Sequence, residues 1–135
     1  MKFKRKDAER ININIFRKPY AVRRFGVQNI VGGYPEAGYS DFKAFLNVQP
    51  LSNHDLQSLP EGERTVKRIK SYGADMLQSS DENTGVSGDR LYYRGYWYEC
   101  KSSAPWGYNL FSLSHFESMF VILPPDKQKE MGAPL

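Results

Sequence analysis

Cys100 and His115 are the one combination of a nucleophile and a base that the sequence suggests for catalysis. Thiol catalysis needs a thiolate that is stabilised by a neighbouring cation or by a helix N-terminus. Cys100 instead falls in the middle of a strand-like run, beside Tyr98, so we expect a buried and inert thiol. The alternative, a hydrolase that depends on Cys100, would lose its activity on Cys100→Ser with the fold intact.

The remaining titratable residues do not suggest a metal site or an acid–base pair. His54 falls at the polar start of a short predicted helix, far in sequence from the other histidine, so there is no local spacing of metal ligands. Glu61 and Glu63 flank a glycine in a predicted turn, which offers no burial to shift a carboxyl pKa. We therefore expect no enzymatic activity, no cofactor and no metal.

A single β-hairpin is predicted over residues 88–103, around the dipeptide Arg94-Gly95, since glycine readily supplies the positive φ of a tight connection. Its first strand places Leu91 and Tyr93 on one face and Tyr92 on the other. Its second strand alternates between an aromatic face and a mixed face: Tyr96, Tyr98 and Cys100 against Trp97, Glu99 and Lys101. Aromatic residues among arginines could stack on the bases of a nucleic acid. They are also typical of a β core that carries a protein interface, and we favour this second interpretation.

Other segments carry the period of two that is typical of strands. These are residues 11–15, 20–24, 26–31, 39–49, 65–72, 108–113 and 116–123. The segment 65–72 is charged enough to predict a partly exposed strand or an edge strand, with a short helix as its alternative. Ser52 predicts a helix N-cap and a short helix to Leu59, and residues 32–38 predict a glycine-rich turn or loop. The fold class is mainly β: a small antiparallel β-barrel or rolled sheet with one short helix and extended tails.

The predicted organisation is a basic arm with a short strand (1–18), a barrel domain (19–124) and a C-terminal tail (125–135). Nine basic and two acidic residues fall within the first 24 positions, although the whole chain carries a net charge of only +4. Such an arm can contact nucleic acid, because basic side chains release counterions from phosphates, or it can pack on an acidic protein. The candidate contact residues are Lys2, Lys4, Arg5, Lys6 and Arg10.

Residues 73–88 predict a long, mobile loop of small polar residues with no basic side chain. No apolar run approaches the length of about 20 residues that a membrane span needs, and a single cysteine permits no internal disulfide. We expect a protein made in the cytoplasm, with no membrane partner.

The pattern Gly-Asp-x-Leu-x-Tyr-x-Gly-x-x-Tyr-Glu-Cys, which begins at Gly88, is followed by Trp106 after a short loop. Together with residues 60–68 it resembles the head-closure, or stopper, family and related head-tail connector proteins of the bacteriophage neck. The resemblance implies a structural virion protein: a small antiparallel β-barrel that assembles as a ring, usually a hexamer, beneath the portal and adaptor. In that family a mobile loop reaches the channel and retains packaged double-stranded DNA, and the opposite face receives the tail.

This resemblance, with the predicted loops and aromatic residues, suggests where the functional residues lie. The candidate channel loop contains Asp75, Asp81, Glu82, Asn83, Gly85 and Gly88. The candidate interface contains Tyr34, Tyr92, Arg94, Trp97 and Trp106. Expected partners are further copies of the chain, the portal or adaptor ring, a tail terminator or tail tube protein, and the packaged DNA. The alternatives are a tail-completion or tail-terminator protein and a barrel that binds single-stranded nucleic acid.

Overall fold

Six antiparallel strands close into a barrel in the computed structural model, which describes residues 17–31, 34–105 and 115–134. The strands are β1 (Lys18–Val31), β2 (Tyr34–Pro50), β3 (Arg68–Gly73), β4 (Arg90–Tyr93), β5 (Tyr96–Pro105) and β6 (Phe116–Ile122). Their order around the barrel is β1-β2-β3-β6-β5-β4, and β4 pairs again with β1. The predicted β class is confirmed, and the closed barrel, rather than the rolled sheet, is the form that the chain takes.

Strand β2 is long enough to serve two neighbours in turn. Its first part pairs with β1, from Val31↔Tyr34 to Lys18↔Leu46, and its last residues pair with β3. The predicted glycine-rich loop at 32–38 is therefore shorter than expected, because Tyr34 already pairs within the ladder. Gly32 and Gly33 lie outside the described residues. The bend predicted at Gly26 is confirmed: the register shifts there, and Gly26 has a φ of 100°.

The barrel interior holds the main apolar core. Its buried members are Val22, Leu46, Ile69, Leu77, Leu91, Tyr98, Cys100 and Phe120. The predicted inward face of β2 is confirmed, since Phe42, Ala44 and Val48 pack against this core beside the buried Leu46. Each large apolar side chain buried in this way stabilises the fold by about 1.5–3 kcal/mol.

Of the two forms predicted for the strand at 65–72, the edge strand is wrong and the partly exposed strand is the one observed, with Arg68 and Lys70 half-buried. Strand β3 lies between β2 and β6, and a closed barrel has no edge at this position. One of the charges that suggested an edge is paired instead: Lys70 Nζ lies 2.8 Å from Asp55 Oδ2 on helix α1 (Asn53–Gln57). That helix confirms its prediction, with Ser52 and Asp55 forming a reciprocal capping box. A short 3-10 helix follows at Glu61–Glu63.

The C-terminal segment is not the extended tail that the sequence predicts. Residues Pro125–Met131 form helix α2, which starts at a proline, where the missing N–H costs nothing, and is followed by Gly132 with a φ of 65°. Its Met131 is buried with Trp97 and Leu123 in a second small core on the outer face of the barrel. This burial is the reason that the segment folds.

Some predicted features lie outside the described residues. They are the strand at 11–15, the basic arm with its five candidate contact residues, and the strand at 108–113.

Candidate functional site

One end of the barrel is shaped by the turn between β4 and β5. Arg94 and Gly95 form this turn with φ values of 49° and 87°. Two consecutive positive φ angles are typical of the type I′ connection that matches the twist of a two-stranded hairpin. The predicted hairpin is therefore confirmed, and its turn places an exposed Arg94 where β2 ends and β3 begins.

Beside Arg94 a groove of about 610 Å³, here called the mouth groove, opens at this end of the barrel. Its lining residues are apolar, aromatic or basic, apart from one threonine. The lining residues are Pro50, Leu51, Leu56, Arg64, Thr65, Val66, Lys67, Arg68, Ile69, Tyr93, Arg94 and Tyr98. No Asp or Glu is among these described lining residues, so the mouth groove is suited to an anionic occupant.

The cations of the mouth groove are held in place mostly by uncharged partners. Arg64 donates hydrogen bonds to the carbonyls of Gln57 and Leu59, both at 3.1 Å. Lys67 Nζ lies 5.7 Å from the centre of the Tyr96 ring, in a cation–π arrangement, and has no carboxylate partner among the residues that the structure describes.

Two further arginines complete this set of cations. Arg94 lies 5.2 Å above the Tyr93 ring, and Arg68 has a carboxylate partner, Glu63, at 3.4 Å. A smaller groove of about 390 Å³ shares Tyr93 and Arg94 and adds Lys18 and Tyr20, again without an acidic lining residue among those described. The pKa of Tyr20 is raised, mainly by burial and then by electrostatic interaction with Tyr93, and the positive charge of Arg94 acts in the opposite direction.

At the opposite end of the barrel, the segment between β3 and β4 is fastened to the fold at its base. Leu77 enters the barrel core with 4% exposure. The carboxylate of Asp89, fully buried, accepts hydrogen bonds from Gln78 N at 2.8 Å and from Arg24 at 2.9 and 2.8 Å. Ser80 N donates to the carbonyl of Cys100 at 3.0 Å. The mobile loop that the sequence predicts therefore has an anchored base.

Gly88 belongs to this base rather than to the exposed part of the segment. A Cβ placed on it would lie 2.2 Å from Cys100 O and 2.8 Å from Ser80 N, both of them backbone atoms. Only glycine fits there. Gly88, which the sequence placed in the candidate channel loop, therefore has a structural role at the base of the segment.

The exposed part, here called the acidic tip, is residues 81–86. A bridge between Asp81 and Val86 closes it, and Asp81 Oδ1 accepts a hydrogen bond from Asn83 N at 2.9 Å. Four of the predicted loop residues meet here: Asp81, Glu82, Asn83 and Gly85, all exposed. Asp75 is also exposed, but it lies before the base, against the groove lined by Phe45 and Met76.

The predicted interface residues that the structure describes differ in exposure. Trp97 is 2% exposed, because helix α2 covers it, and its Nε1 donates to Gly132 O at 2.7 Å. Trp97 is therefore a core residue within the monomer, and its assignment to an interface stays a prediction. Tyr92 is half-buried against Trp97, with ring centres 5.1 Å apart. Arg94 remains exposed at the barrel mouth; the side chain of Tyr34 and all of Trp106 lie outside what the structure describes.

Arg23 is a residue whose role the sequence did not predict. Although it was counted with the basic N-terminal region, it is buried in β1, where it pairs with Asp41 at 2.7 and 3.0 Å and donates to Met131 O at 2.9 Å. Its guanidinium also lies over the rings of Tyr39 and Trp97. Arg23 thus joins the barrel to helix α2, and its charge is not available to nucleic acid.

Cys100 is buried as predicted, and burial raises the pKa of its thiol to about 12. Its thiol therefore stays protonated at neutral pH. His115 Nδ1 lies 2.8 Å from Arg17 Nη2. The pKa of the His115 imidazole is lowered, mainly by burial and then by the positive charge of Arg17. In the described parts of the chain, no group of three His, Cys, Asp or Glu residues is arranged to hold a metal ion.

Comparison with known proteins does not assign a family. No protein-family model matches this sequence, and no curated protein matches it. Among the described residues, no helix has the length and apolar character to cross a membrane.

Proposed function

We propose that this chain is a structural virion protein of a tailed bacteriophage neck. It forms a ring between the portal or adaptor and the tail, closes the DNA-filled head and provides the surface to which the tail attaches. The proposal starts from the resemblance of residues 60–68 and 88–106 to the head-closure family.

The observation that supports it is what the motif residues do in the fold. Gly88 and Asp89 fasten a long segment to one end of a closed antiparallel barrel, Gly95 makes the hairpin turn, and Tyr98 and Cys100 fill the core. A small barrel that projects a loop from a fixed base is the architecture that the resemblance implies. The roles of these residues in the fold give a physical reason for the motif to occur in small barrels of this kind.

The chemistry of the barrel also favours a structural role. The one candidate nucleophile, Cys100, is 0% exposed and has a strongly raised pKa. Two charged residues of β1, Arg23 and Arg24, are paired with Asp41 and Asp89. These groups stabilise the barrel, and exposed apolar residues such as Phe45 and Met76 remain for protein contacts.

The experiment is deletion of the gene from the phage that carries it. We expect heads that package DNA, fail to join tails and then lose their DNA, with rescue by the wild-type gene supplied in trans. A tail-terminator role, the runner-up, predicts instead heads that retain their DNA. Infectious, tailed particles from the deletion strain would contradict both roles.

A barrel that binds single-stranded nucleic acid is a second candidate, favoured by the mouth groove, where Arg64, Lys67 and Arg94 lie near Tyr93 and Tyr96. A fluorescent oligothymidine separates it from the first. Micromolar or tighter binding that is lost with Lys67→Glu and Arg94→Glu would favour it.

A further inference from the structure

The mouth groove and the acidic tip lie at opposite ends of the same barrel. The mouth groove is found where β2 ends, β3 begins and the β4–β5 turn lies. The acidic tip belongs to the segment that leaves the end of β3 and returns at the start of β4. Each copy of the chain therefore presents a basic surface at one end and an acidic one at the other.

The two surfaces are complementary in charge. The mouth groove is lined by Arg64, Lys67, Arg68 and Arg94, with no carboxylate among its described lining residues. The acidic tip carries Asp81 and Glu82, and the sequence holds no basic residue between Gly73 and Gly88. Opposite potentials of this kind orient two partners and set the register of their contact.

The two surfaces also match in apolar character. Val86, at the end of the acidic tip, is 42% exposed, and the mouth groove offers Leu51, Leu56 and Val66 as apolar lining. The tip is closed by the Asp81–Val86 bridge, and its base is held by Asp89 and Gly88. A projection held in this way loses little conformational entropy on docking.

We propose that the acidic tip of one copy docks into the mouth groove of the next copy. Because the two surfaces differ, the contact is heterologous, and repeated head-to-tail contacts close into a ring when the rotation between copies permits it. This inference rests on the proposed ring function and names the contact that builds the ring. It assigns the acidic tip to the contact between subunits instead of to the wall of the channel.

The test uses two charge-reversed forms of the 135-residue chain. The mouth variant carries Lys67→Glu and Arg94→Glu, and the tip variant carries Asp81→Lys and Glu82→Lys. All four positions are exposed, so both variants should fold, which circular dichroism and thermal unfolding check. A matched control, Lys127→Glu with Lys129→Glu, reverses two exposed cations on helix α2 that neither line the mouth groove nor belong to the acidic tip.

Sedimentation velocity then measures assembly. We expect wild type and control to self-associate, and each reversed variant to associate about tenfold more weakly or not at all. Raising NaCl from about 0.1 M to about 1 M, which shortens the Debye length from about 10 Å to about 3 Å, should weaken the wild-type assembly.

Mixing the variants tests the heterologous geometry directly. The mouth variant keeps an intact tip, and the tip variant keeps an intact mouth, so an equimolar mixture should form dimers and nothing larger. Combining all four reversals in one chain should not restore assembly, because Arg64 and Arg68 leave the reversed mouth groove neutral instead of acidic.

Several results would overturn the inference. They are a wild type that stays monomeric, an assembly that is insensitive to both variants, a mixture without dimers, and a mouth groove that binds oligothymidine instead of the tip. Rings seen in the neck of particles that carry only the mouth variant, or only the tip variant, would overturn this contact and leave the proposed function standing. Failure of the function itself would appear in the gene deletion and in the neck of the wild-type particle.

Discussion

Arg24 donates two hydrogen bonds to the carboxylate of Asp89, from Nε at 2.9 Å and from Nη2 at 2.8 Å. The two residues differ in exposure: the side chain of Arg24 is 38% exposed, and that of Asp89 is fully buried. The hydrogen bonding of Arg24 to the Asp89 carboxylate is the main cause of the raised pKa of Arg24. This pair holds the base of the β3–β4 segment against the barrel, since Asp89 also accepts from Gln78 N.

Loss of Arg24 should destabilise the protein more than a neutral replacement of Asp89. Arg24→Met leaves a buried carboxylate without its cation, which costs about 3–5 kcal/mol. Asp89→Asn removes the buried charge and keeps a carbonyl acceptor for Gln78 N, so we expect a loss of about 1–3 kcal/mol. Urea unfolding measures both, with Lys43→Met, an exposed lysine of β2, as the control. Equal losses for the two variants would contradict the asymmetry.

Gly88→Ala should displace the base of the segment. The added methyl group would meet two backbone atoms, Cys100 O and Ser80 N, which cannot move without breaking their hydrogen bond. We expect a loss of about 1–3 kcal/mol or more, as in other overpacked sites. Gly62→Ala is the control, because a Cβ there meets nothing within 4 Å. The explanation fails if both alanine variants unfold at the same urea concentration.

Local patterns in the sequence were sufficient for the hairpin and for helix α1. The alternation around Arg94-Gly95 and the spacing of Ser52 and Asp55 are both short-range signals, and the structure contains both elements. The barrel closure was harder to predict, because it depends on the pairing of β3 with β6, which are distant in sequence. The charges of β3 therefore suggested an edge that the fold does not have.

Local sequence patterns also could not predict which residues the charged side chains pair with. Arg23 and Arg24 find Asp41 and Asp89 at sequence separations of 18 and 65 residues. Helix α2 has a single buried residue, Met131, so its sequence carries no amphipathic period to recognise. Its one local signal is the Pro124-Pro125 pair, which can start a helix as well as end a domain.

Met131→Ala should weaken the docking of helix α2. Met131 is 6% exposed, and its sulfur lies 2.9 Å from Arg90 Nη1, so truncation leaves a cavity beside Trp97. We expect a loss of about 2–5 kcal/mol in the free energy of unfolding. Lys129→Ala, at an exposed position of the same helix, should change it by less than about 0.5 kcal/mol. A loss that is no larger for Met131→Ala would show that the helix does not contribute to stability.

Cys100 should make the protein less stable at high pH. Its ordinary pKa is 9.0 and burial raises this to about 12, so the unfolded chain releases the thiol proton first. The free energy of unfolding should therefore decrease from about pH 9 to about pH 12, and Cys100→Ala should reduce this slope. A thiol-labelling reagent at pH 8 should react with the native protein far more slowly than with the unfolded chain. Rapid labelling of the native state would contradict the buried, protonated thiol.

Electron cryomicroscopy of the neck of the phage that carries this gene tests the central claim most directly. We expect a closed ring of copies of this six-stranded barrel between the portal or adaptor ring and the tail, with the barrel ends of adjacent copies in contact. A neck whose density is fully explained by other proteins, in particles from which this chain is absent, would contradict the account.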